Sequence, residues 1–232
     1  MLIVVTGASQ GIGEAIALAF AREPGAHLAL LARSTGKLEG VAAACRAAGA
    51  GASVCPCDVT VEAEVNRVAA GLLAAQGAPE VVVANAGRFR PGALVETDLA
   101  TFHDQLEVNL TSAFLTTRAF LPAMVERGRG HFFYLGSVAS LAAYPNGAAY
   151  TVAKHALLGL ARQARAETLA TGVRVTTVLP GATLTPAWDG VPIPAQRLMP
   201  AEDVAEAVVG AWRLSDRTVV EEILLRPRAG EV

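Results

Sequence analysis

The sequence predicts a single α/β domain in which a doubly wound, seven-stranded parallel sheet is flanked by helices. Three observations predict this fold. Short apolar runs alternate with segments of helical period, the first apolar run breaks into a glycine-rich turn, and no linker interrupts the chain. A chain of 232 residues can bury a sizeable core but leaves no room for separate cofactor and substrate domains. We therefore expect residues 1–232 to form one domain that carries every functional site.

The first 32 residues predict a β-α-β unit. Val4 and Val5 end an apolar strand, and a turn with Gly7, Gly11 and Gly13 follows it. A helix then begins, and its apolar face is formed by Ile12, Ile16, Ala19 and Phe20. Pro24-Gly25 ends this helix before the apolar run 28–32, which predicts the second strand.

The same alternation continues to the end of the chain. Further strands are predicted at 52–57, 80–84, 131–135, 173–179 and 219–225. Helices are predicted at about 37–48, 61–75 and 148–170, from Asp98 or Thr101 to about Gly128, and after Pro200. Strands that alternate with helices indicate parallel pairing by right-handed crossovers.

Composition restricts the class of protein. Hydrophobic residues make up 53% and charged residues 17%, which argues against disorder, and no apolar run reaches the roughly 18 residues of a membrane span. A net charge of −2 gives no reason to expect a nucleic acid or an anionic membrane as partner. Because no basic segment precedes the apolar Met1–Val5, we expect no signal peptide and a cytoplasmic protein. The three cysteines have no metal-type spacing, so we expect reduced thiols and no metal site.

The glycine-rich turn is the first candidate site. Glycine permits positive φ and close approach of a ligand, and the helix behind the turn offers free N–H groups and a positive dipole end. Such a turn suits a pyrophosphate, although similar turns occur in α/β proteins that bind no nucleotide. Its spacing, G-x-x-x-G-x-G, differs from the G-x-G-x-x-G of two-domain dehydrogenases.

A second set of residues lies downstream. Tyr150 and Lys154 are separated by four residues on a predicted helix, so they share one face. Ser137 precedes Tyr150 by thirteen residues at the end of a predicted strand, and Asn109 lies in the helix before it. Only Lys37 and Lys154 among the 19 basic residues are lysines, which indicates that position 154 needs an ammonium and not a planar guanidinium.

These motifs, in this order, resemble the short-chain dehydrogenase/reductase family, a group of Rossmann-like oxidoreductases. The resemblance spans residues 6–185 and rests on TGASQGIG, on Asn85-Ala86-Gly87 and on the set Asn109, Ser137, Tyr150 and Lys154. It implies that Tyr150 is the general acid and base, that Ser137 orients the carbonyl, and that Lys154 and Asn109 form a proton relay through a water. The nicotinamide supplies the hydride. For this role the pKa of Tyr150 must fall by about 3 units, or about 4 kcal/mol.

The resemblance also implies a set of residues that hold the cofactor. They are Gly7, Ser9, Gln10, Gly11, Ile12, Gly13, Arg33, Ser34, Asp58, Val59, Asn85, Ala86, Gly87, Tyr150, Lys154, Pro180, Gly181, Thr183 and Thr185. Asp58 and Thr60 have an alternative role, because either could cap the following helix.

The end of the second strand bears on the choice of cofactor. An acidic residue there takes the ribose 2′-hydroxyl of NAD, whereas a basic residue accommodates the 2′-phosphate of NADP. No carboxylate lies between residues 28 and 38, and Arg33 ends the strand. We therefore favour NADP(H), with NAD(H) as the alternative. Relatives that use NADP often carry a second basic residue in the glycine turn, where this chain has Gln10.

We expect an NADP(H)-dependent oxidoreductase that acts on a small or medium carbonyl compound or secondary alcohol, of carbonyl reductase, 3-hydroxy acid or 3-oxoacyl type. Candidate substrate contacts are Arg88, Arg90, Leu141, Tyr144, Asn146 and Trp188. The alternative is a catalytically idle NADP-binding sensor or scaffold; an epimerase of the extended family would have a longer chain. Aliphatic helix faces near 105–125 and 149–169 resemble the interface of family homodimers and homotetramers.

Overall fold

The computed structural model describes residues 1–231. Its seven strands are β1 (Leu2–Thr6), β2 (His27–Ala32), β3 (Gly51–Pro56), β4 (Val81–Ala84), β5 (Gly130–Leu135), β6 (Val173–Pro180) and β7 (Glu222–Leu225). Its longer helices are α1 (Gly11–Phe20), α2 (Thr35–Ala47), α3 (Glu62–Gln76), α4 (Leu99–Leu106), α5 (Ser112–Arg127), α6 (Ala148–Thr168) and α7 (Ala201–Trp212).

The strands form one parallel sheet in the order β3-β2-β1-β4-β5-β6-β7. The predicted doubly wound, seven-stranded α/β fold is therefore confirmed. Strand order reverses between β1 and β4, and the carboxyl ends of the strands at such a switch point form the crevice in which open α/β sheets bind ligands.

Apolar side chains cover the sheet on both faces. One buried cluster joins the sheet to α1, α2 and α7, where the rings of Phe20 and Trp212 meet edge to face at 5.5 Å. The other cluster joins the sheet to α3, α5 and α6. Central strands buried on both faces carry continuous apolar runs, which is why β1 begins with four consecutive aliphatic residues and β4 is aliphatic throughout.

The structure decides between the two helix caps that the sequence leaves open at residue 98 or 101. The side chain of Asp98 accepts a hydrogen bond of 2.6 Å from the backbone N–H of Thr101, so Asp98 is the N-cap of α4. The long helical region that follows is divided: a π-helical turn, Glu107–Thr111, separates α4 from α5.

The last strand is shorter than predicted. Regular pairing with β6 begins at Glu222 and not at residue 219. The carbonyl of Val220 accepts a hydrogen bond of 2.5 Å from the Thr176 hydroxyl, so a side chain occupies the position that a ladder bond would take.

No helix within residues 1–231 combines the length and the apolar character that crossing a bilayer requires.

Candidate active site

A cleft of about 1180 Å³ runs along the carboxyl edge of the sheet. It is lined by every residue that the sequence predicts for catalysis or cofactor binding: Gly7, Ser9, Gln10, Gly11, Ile12, Gly13, Arg33, Ser34, Asp58, Val59, Asn85, Ala86, Gly87, Asn109, Ser137, Tyr150, Lys154, Pro180, Gly181, Thr183 and Thr185. The fold thus brings together residues that are separated by up to 178 positions in the chain.

The glycine turn has the geometry that its sequence predicts. Gly7 and Gly11 adopt φ of +64° and +62°, values that favour glycine. A β-carbon on Gly13 would lie 2.3 Å from the carbonyl oxygen of Gly7, so only glycine fits where α1 packs against the turn. Gln10 is the N-cap of α1, and its side chain makes no capping hydrogen bond. The first N–H groups of α1 therefore remain available to an anion, and the turn fits a pyrophosphate.

Asn85 fastens the glycine turn to β4. Its side-chain amide donates to the carbonyl oxygens of Thr6 at 2.9 Å and Gly7 at 3.2 Å. The Thr6 hydroxyl in turn accepts hydrogen bonds from the backbone N–H groups of Asn85 and Ala86. These four hydrogen bonds fix the two sides of the switch point relative to each other.

Asp58 does not cap the next helix. Its carboxylate accepts hydrogen bonds from the backbone N–H and the hydroxyl of Thr60, and the N-cap of α3 is Val61. Burial raises the pKa of Asp58, but the Thr60 hydrogen bonds and the charge of Arg33 outweigh it and hold the pKa below its usual value. Asp58 is therefore an ionised acceptor in the cleft, within reach of the charge of Arg33.

Asn109 lies in the π-helical turn, and its side chain is fully engaged. Its amide donates to the carbonyl oxygens of Arg88 at 3.0 Å and Gln105 at 3.1 Å, and its oxygen accepts from the backbone N–H of Arg88 at 3.1 Å. A β-carbon on Gly87 would lie 2.7 Å from this oxygen and 3.5 Å from the Nζ of Lys154. The side chain of Asn109 thus anchors the loop after β4, and its hydrogen-bonding groups are already used by backbone partners; its role in a water relay stays a prediction.

Ser137, Tyr150 and Lys154 meet at the far end of the cleft. The Ser137 hydroxyl accepts a hydrogen bond of 3.1 Å from the backbone N–H of Ala139. The Nζ of Lys154 lies 5.6 Å from the centre of the Tyr150 ring and donates a 2.8 Å hydrogen bond to the carbonyl oxygen of Leu135.

Burial affects both titratable groups of this cluster. Burial raises the pKa of Tyr150, and a hydrogen bond with Ser137 opposes that rise. Burial also lowers the pKa of Lys154 from 10.5 to about 8. Without a ligand the phenol is therefore protonated at neutral pH. The lowered pKa that catalysis requires belongs to the site with the positively charged nicotinamide bound, and it stays a prediction.

The segment after β6 closes the cleft above the glycine turn. A β-carbon on Gly11 would lie 3.1 Å from the methyl group of Thr185, and the Thr183 hydroxyl donates to the Gly181 carbonyl at 2.9 Å. From the other side, the backbone N–H of Ala182 donates to the carboxylate of Glu231 at 3.4 Å. Glu231 could not be predicted from the sequence, because nothing in the polar tail signals its contact with this segment.

Aromatic rings line the open end of the cleft beside Tyr150. Phe89 packs edge to face against Tyr150, with ring centres 5.2 Å apart, and against Tyr144 at 5.6 Å. Trp188, Asn146 and Arg88 line the same cleft, and Arg88 forms an ion pair with Asp104. Leu141 and Arg90, which the sequence also suggested, lie outside the cleft lining and are exposed. Phe89 and Lys37 line the cleft but were not predicted.

A glycine-rich turn at the switch point of a parallel sheet, with a hydroxyl, a phenol and an ammonium at the other end of one cleft, defines a Rossmann-like, nucleotide-dependent oxidoreductase. The family model for short chain dehydrogenases matches residues 1–192. The chain therefore belongs to the short-chain dehydrogenase/reductase family, whose members act on CH–OH or C=O groups with NAD(P).

Individual relatives agree with this membership. A protein named sepiapterin reductase from Chlorobaculum tepidum is 37% identical, over 100% of this chain and 98% of its own. The crystal structure of an alcohol dehydrogenase from Thermococcus sibiricus complexed with 5-hydroxy-NADP has a TM-score of 0.92 and 34% identity, and covers 100% of this chain and 98% of its own. A metagenomic short-chain oxidoreductase in complex with NADP has a TM-score of 0.86 and 35% identity, with 98% and 96% covered.

Proposed function

We propose that this protein is an NADP(H)-dependent oxidoreductase that interconverts a small or medium carbonyl compound and its secondary alcohol. The observation that carries the proposal is the convergence of Ser137, Tyr150 and Lys154 at one end of a cleft whose other end presents Arg33. A protein that only bound the nucleotide would have no need for this convergence. The substrate is of carbonyl reductase, 3-hydroxy acid or 3-oxoacyl type.

In this proposal the protein's own groups manage a proton and a carbonyl. Ser137 orients the substrate oxygen by a hydrogen bond, and Tyr150 donates its phenolic proton to that oxygen during reduction and removes it during oxidation. The buried ammonium of Lys154 stabilises the phenolate that remains. The bound nicotinamide gives or takes the hydride. Because burial raises the pKa of Tyr150, the protein without ligand holds the proton that reduction consumes.

Two observations support NADP(H) over NAD(H). Arg33 is exposed at the end of β2 and lines the cleft, where a guanidinium suits a phosphate, and no carboxylate occurs between residues 28 and 38. Two structural neighbours that cover nearly the whole chain were solved with NADP or 5-hydroxy-NADP.

The aromatic lining supports a substrate of modest size. Phe89, Tyr144 and Trp188 surround the open end of the cleft, and the 186–197 segment above it contains only two short 3₁₀ turns. The Arg88 guanidinium is engaged by Asp104, so a carboxylate on the substrate would compete with an existing ion pair.

The test is oxidation of NADPH and NADH by the purified protein over a panel of aldehydes, ketones and 3-oxoacyl thioesters, with 3-hydroxy acids in reverse. Tyr150→Phe should lower kcat by at least about a hundredfold and leave NADPH binding unchanged, because only the proton donor is lost. Tyr144→Phe is the matched control and should keep kcat within a few-fold. If NADPH binds and no substrate of the panel is turned over, the alternative of a sensor or scaffold gains support.

We also propose a homodimer or homotetramer. The helices at the expected interface expose large apolar side chains, Phe114 on α5 and Val152 on α6, with 44% and 43% of their surface accessible. Light scattering after size-exclusion chromatography would test this, and a monomeric mass at micromolar concentration would contradict it.

A further inference from the structure

Gln10 and Lys37 are joined across the mouth of the cleft. The Nζ of Lys37 donates a hydrogen bond of 2.5 Å to the side-chain oxygen of Gln10. Gln10 belongs to the glycine turn, and Lys37 is the third residue of α2. Both side chains are exposed, and both line the cleft together with Arg33 and Ser34.

This arrangement gathers positive charge in one place. Neither Arg33 nor Lys37 forms an ion pair with any carboxylate in residues 1–231, whereas ten other arginines do. The N-terminus of α2 lies between them, and its N-cap residue Ser34 makes no side-chain capping bond. Two unpaired cations and the free N–H groups of a helix form a site for a multiply charged anion.

The partner of Lys37 preserves its charge. A carboxamide oxygen is neutral, so it restrains the ammonium without forming an ion pair and leaves two N–H groups free for another acceptor. A glutamate at position 10 would compete with an anionic ligand for the Lys37 ammonium, whereas a glutamine holds the long Lys37 side chain in place. Such a restraint lowers the entropy that is lost when the ligand binds.

The position of the site defines the anion. In dinucleotide folds the end of the second strand faces the 2′ position of the adenosine ribose. We propose that Lys37, positioned by Gln10, is a second cation for the 2′-phosphate of NADP(H), opposite Arg33, and replaces the basic residue that the glycine turn lacks. This inference rests on the proposed function, since it assigns a residue to the cofactor selectivity of the same cleft.

The experiment separates the phosphate from the rest of the cofactor. Isothermal titration of 2′,5′-ADP and of 5′-AMP reports the contribution of the 2′-phosphate without any catalysis. Lys37→Gln should lower the affinity for 2′,5′-ADP at least about tenfold, because one charge-assisted contact to the 2′-phosphate is lost. Its affinity for 5′-AMP should stay within twofold of the wild-type value. Lys37→Arg should restore most of the affinity. Gln10→Ala removes the hydrogen bond that restrains the Lys37 side chain but keeps its charge, so it should lower the affinity for 2′,5′-ADP about two- to fivefold.

Arg46→Gln is the matched control. It removes a positive charge from the same helix, at a residue that contacts Glu39 and the carbonyl of Ala52 and does not line the cleft. It should change neither affinity. In parallel, the ratio of kcat/KM for NADPH to that for NADH should fall about tenfold in Lys37→Gln and stay constant in Arg46→Gln.

The outcomes distinguish the two proposals. If the wild-type protein prefers 2′,5′-ADP and Lys37→Gln leaves that preference unchanged, the role of Lys37 is wrong while the proposed function stands. If Lys37→Gln lowers the affinity for both nucleotides equally, Lys37 stabilises the fold or contacts the adenosine and not the 2′-phosphate, and the inference is again wrong. If the wild-type protein binds neither 2′,5′-ADP nor NADPH, the proposed cofactor is wrong and this inference fails with it.

Discussion

The ammonium of Lys154 donates its hydrogen bond to the backbone carbonyl of Leu135, at 2.8 Å, and only 4% of the lysine surface is accessible. Leu135 is the last residue of β5, so the sheet itself holds the cation beside the Tyr150 ring. This placement has an energetic cost, because burial lowers the pKa of Lys154 from 10.5 to about 8.

We expect Lys154→Met to be more stable than the wild type at neutral pH in the absence of cofactor. Below pH 8 the wild type carries a buried charge in the folded state, at a cost of about 3 kcal/mol for a pKa shift from 10.5 to about 8. Between pH 8 and 10.5 the unfolded chain binds more protons than the folded one, so wild-type stability rises by about 1.4 kcal/mol per pH unit relative to the variant. Urea unfolding of both proteins from pH 7 to 9.5 measures this difference. A difference that does not change with pH would contradict the prediction.

Gly13→Ala should destabilise the fold and abolish cofactor binding. The new β-carbon would lie 2.3 Å from the carbonyl oxygen of Gly7 and 2.5 Å from the Asn85 amide, so the glycine turn must open. We expect a loss of about 2–4 kcal/mol in the free energy of unfolding. Gly159→Ala in α6 is the control, since nothing lies within 4 Å of its β-carbon, and it should stabilise by about 0.5–1 kcal/mol. Urea unfolding and NADPH titration measure both effects.

His131 should make the protein sensitive to acid. Its ring is fully buried at the start of β5, and burial lowers its pKa from 6.5 to about 2. The Thr176 hydroxyl donates to the carbonyl of Val220, so it accepts from the Nε2–H of His131 and leaves Nδ1 without a hydrogen.

As the pH falls below 6.5, the unfolded chain binds a proton that the folded chain does not, so stability falls by about 1.4 kcal/mol per pH unit. His131→Gln should remove that part of the slope between pH 6.5 and 4.5. His103→Gln, at an exposed position on α4, should leave the slope unchanged. Equal slopes in the wild type and in His131→Gln would show that the prediction is wrong.

Phe89→Ala should weaken the binding of the substrate and leave the binding of the cofactor unchanged. The Phe89 ring packs on Tyr150 and Tyr144, and 41% of its surface remains accessible for a substrate. We expect kcat/KM for the carbonyl substrate to fall about tenfold through lost apolar contact. Leu94→Ala, exposed outside the cleft lining, is the control. A change in the NADPH dissociation constant would indicate that Phe89 supports the nucleotide end instead.

Periodicity and motif spacing predicted the fold well. The central strands are buried on both faces, so their apolar runs are unbroken and their positions clear. The π-helical turn at 107–111 could not be predicted, because one extra residue per turn scarcely changes the apolar pattern of a helix. Site residues that belong to motifs, such as Tyr150 and Ser137, could be predicted because their proposed chemistry permits few other residue types at those positions.

The residues that were missed depend on long-range contacts. Lys37 lies on an exposed helix position, and only the packing of α2 beside the glycine turn brings it to Gln10, 27 residues away. The rarity of lysine distinguishes Lys37 as much as it distinguishes Lys154. Phe89 follows a loop motif, where no periodicity indicates the direction of a side chain.

Both lysines of the chain line the cleft. Within this sequence, reagents that acylate or alkylate primary amines therefore find side-chain targets only in the cleft, and the amine of Met1 donates to the carbonyl of Gly25. If Lys37 contacts the cofactor as proposed, the extent of its labelling would measure cofactor occupancy, and attachment of this protein to a solid support through amine coupling would block the cleft that is to be assayed.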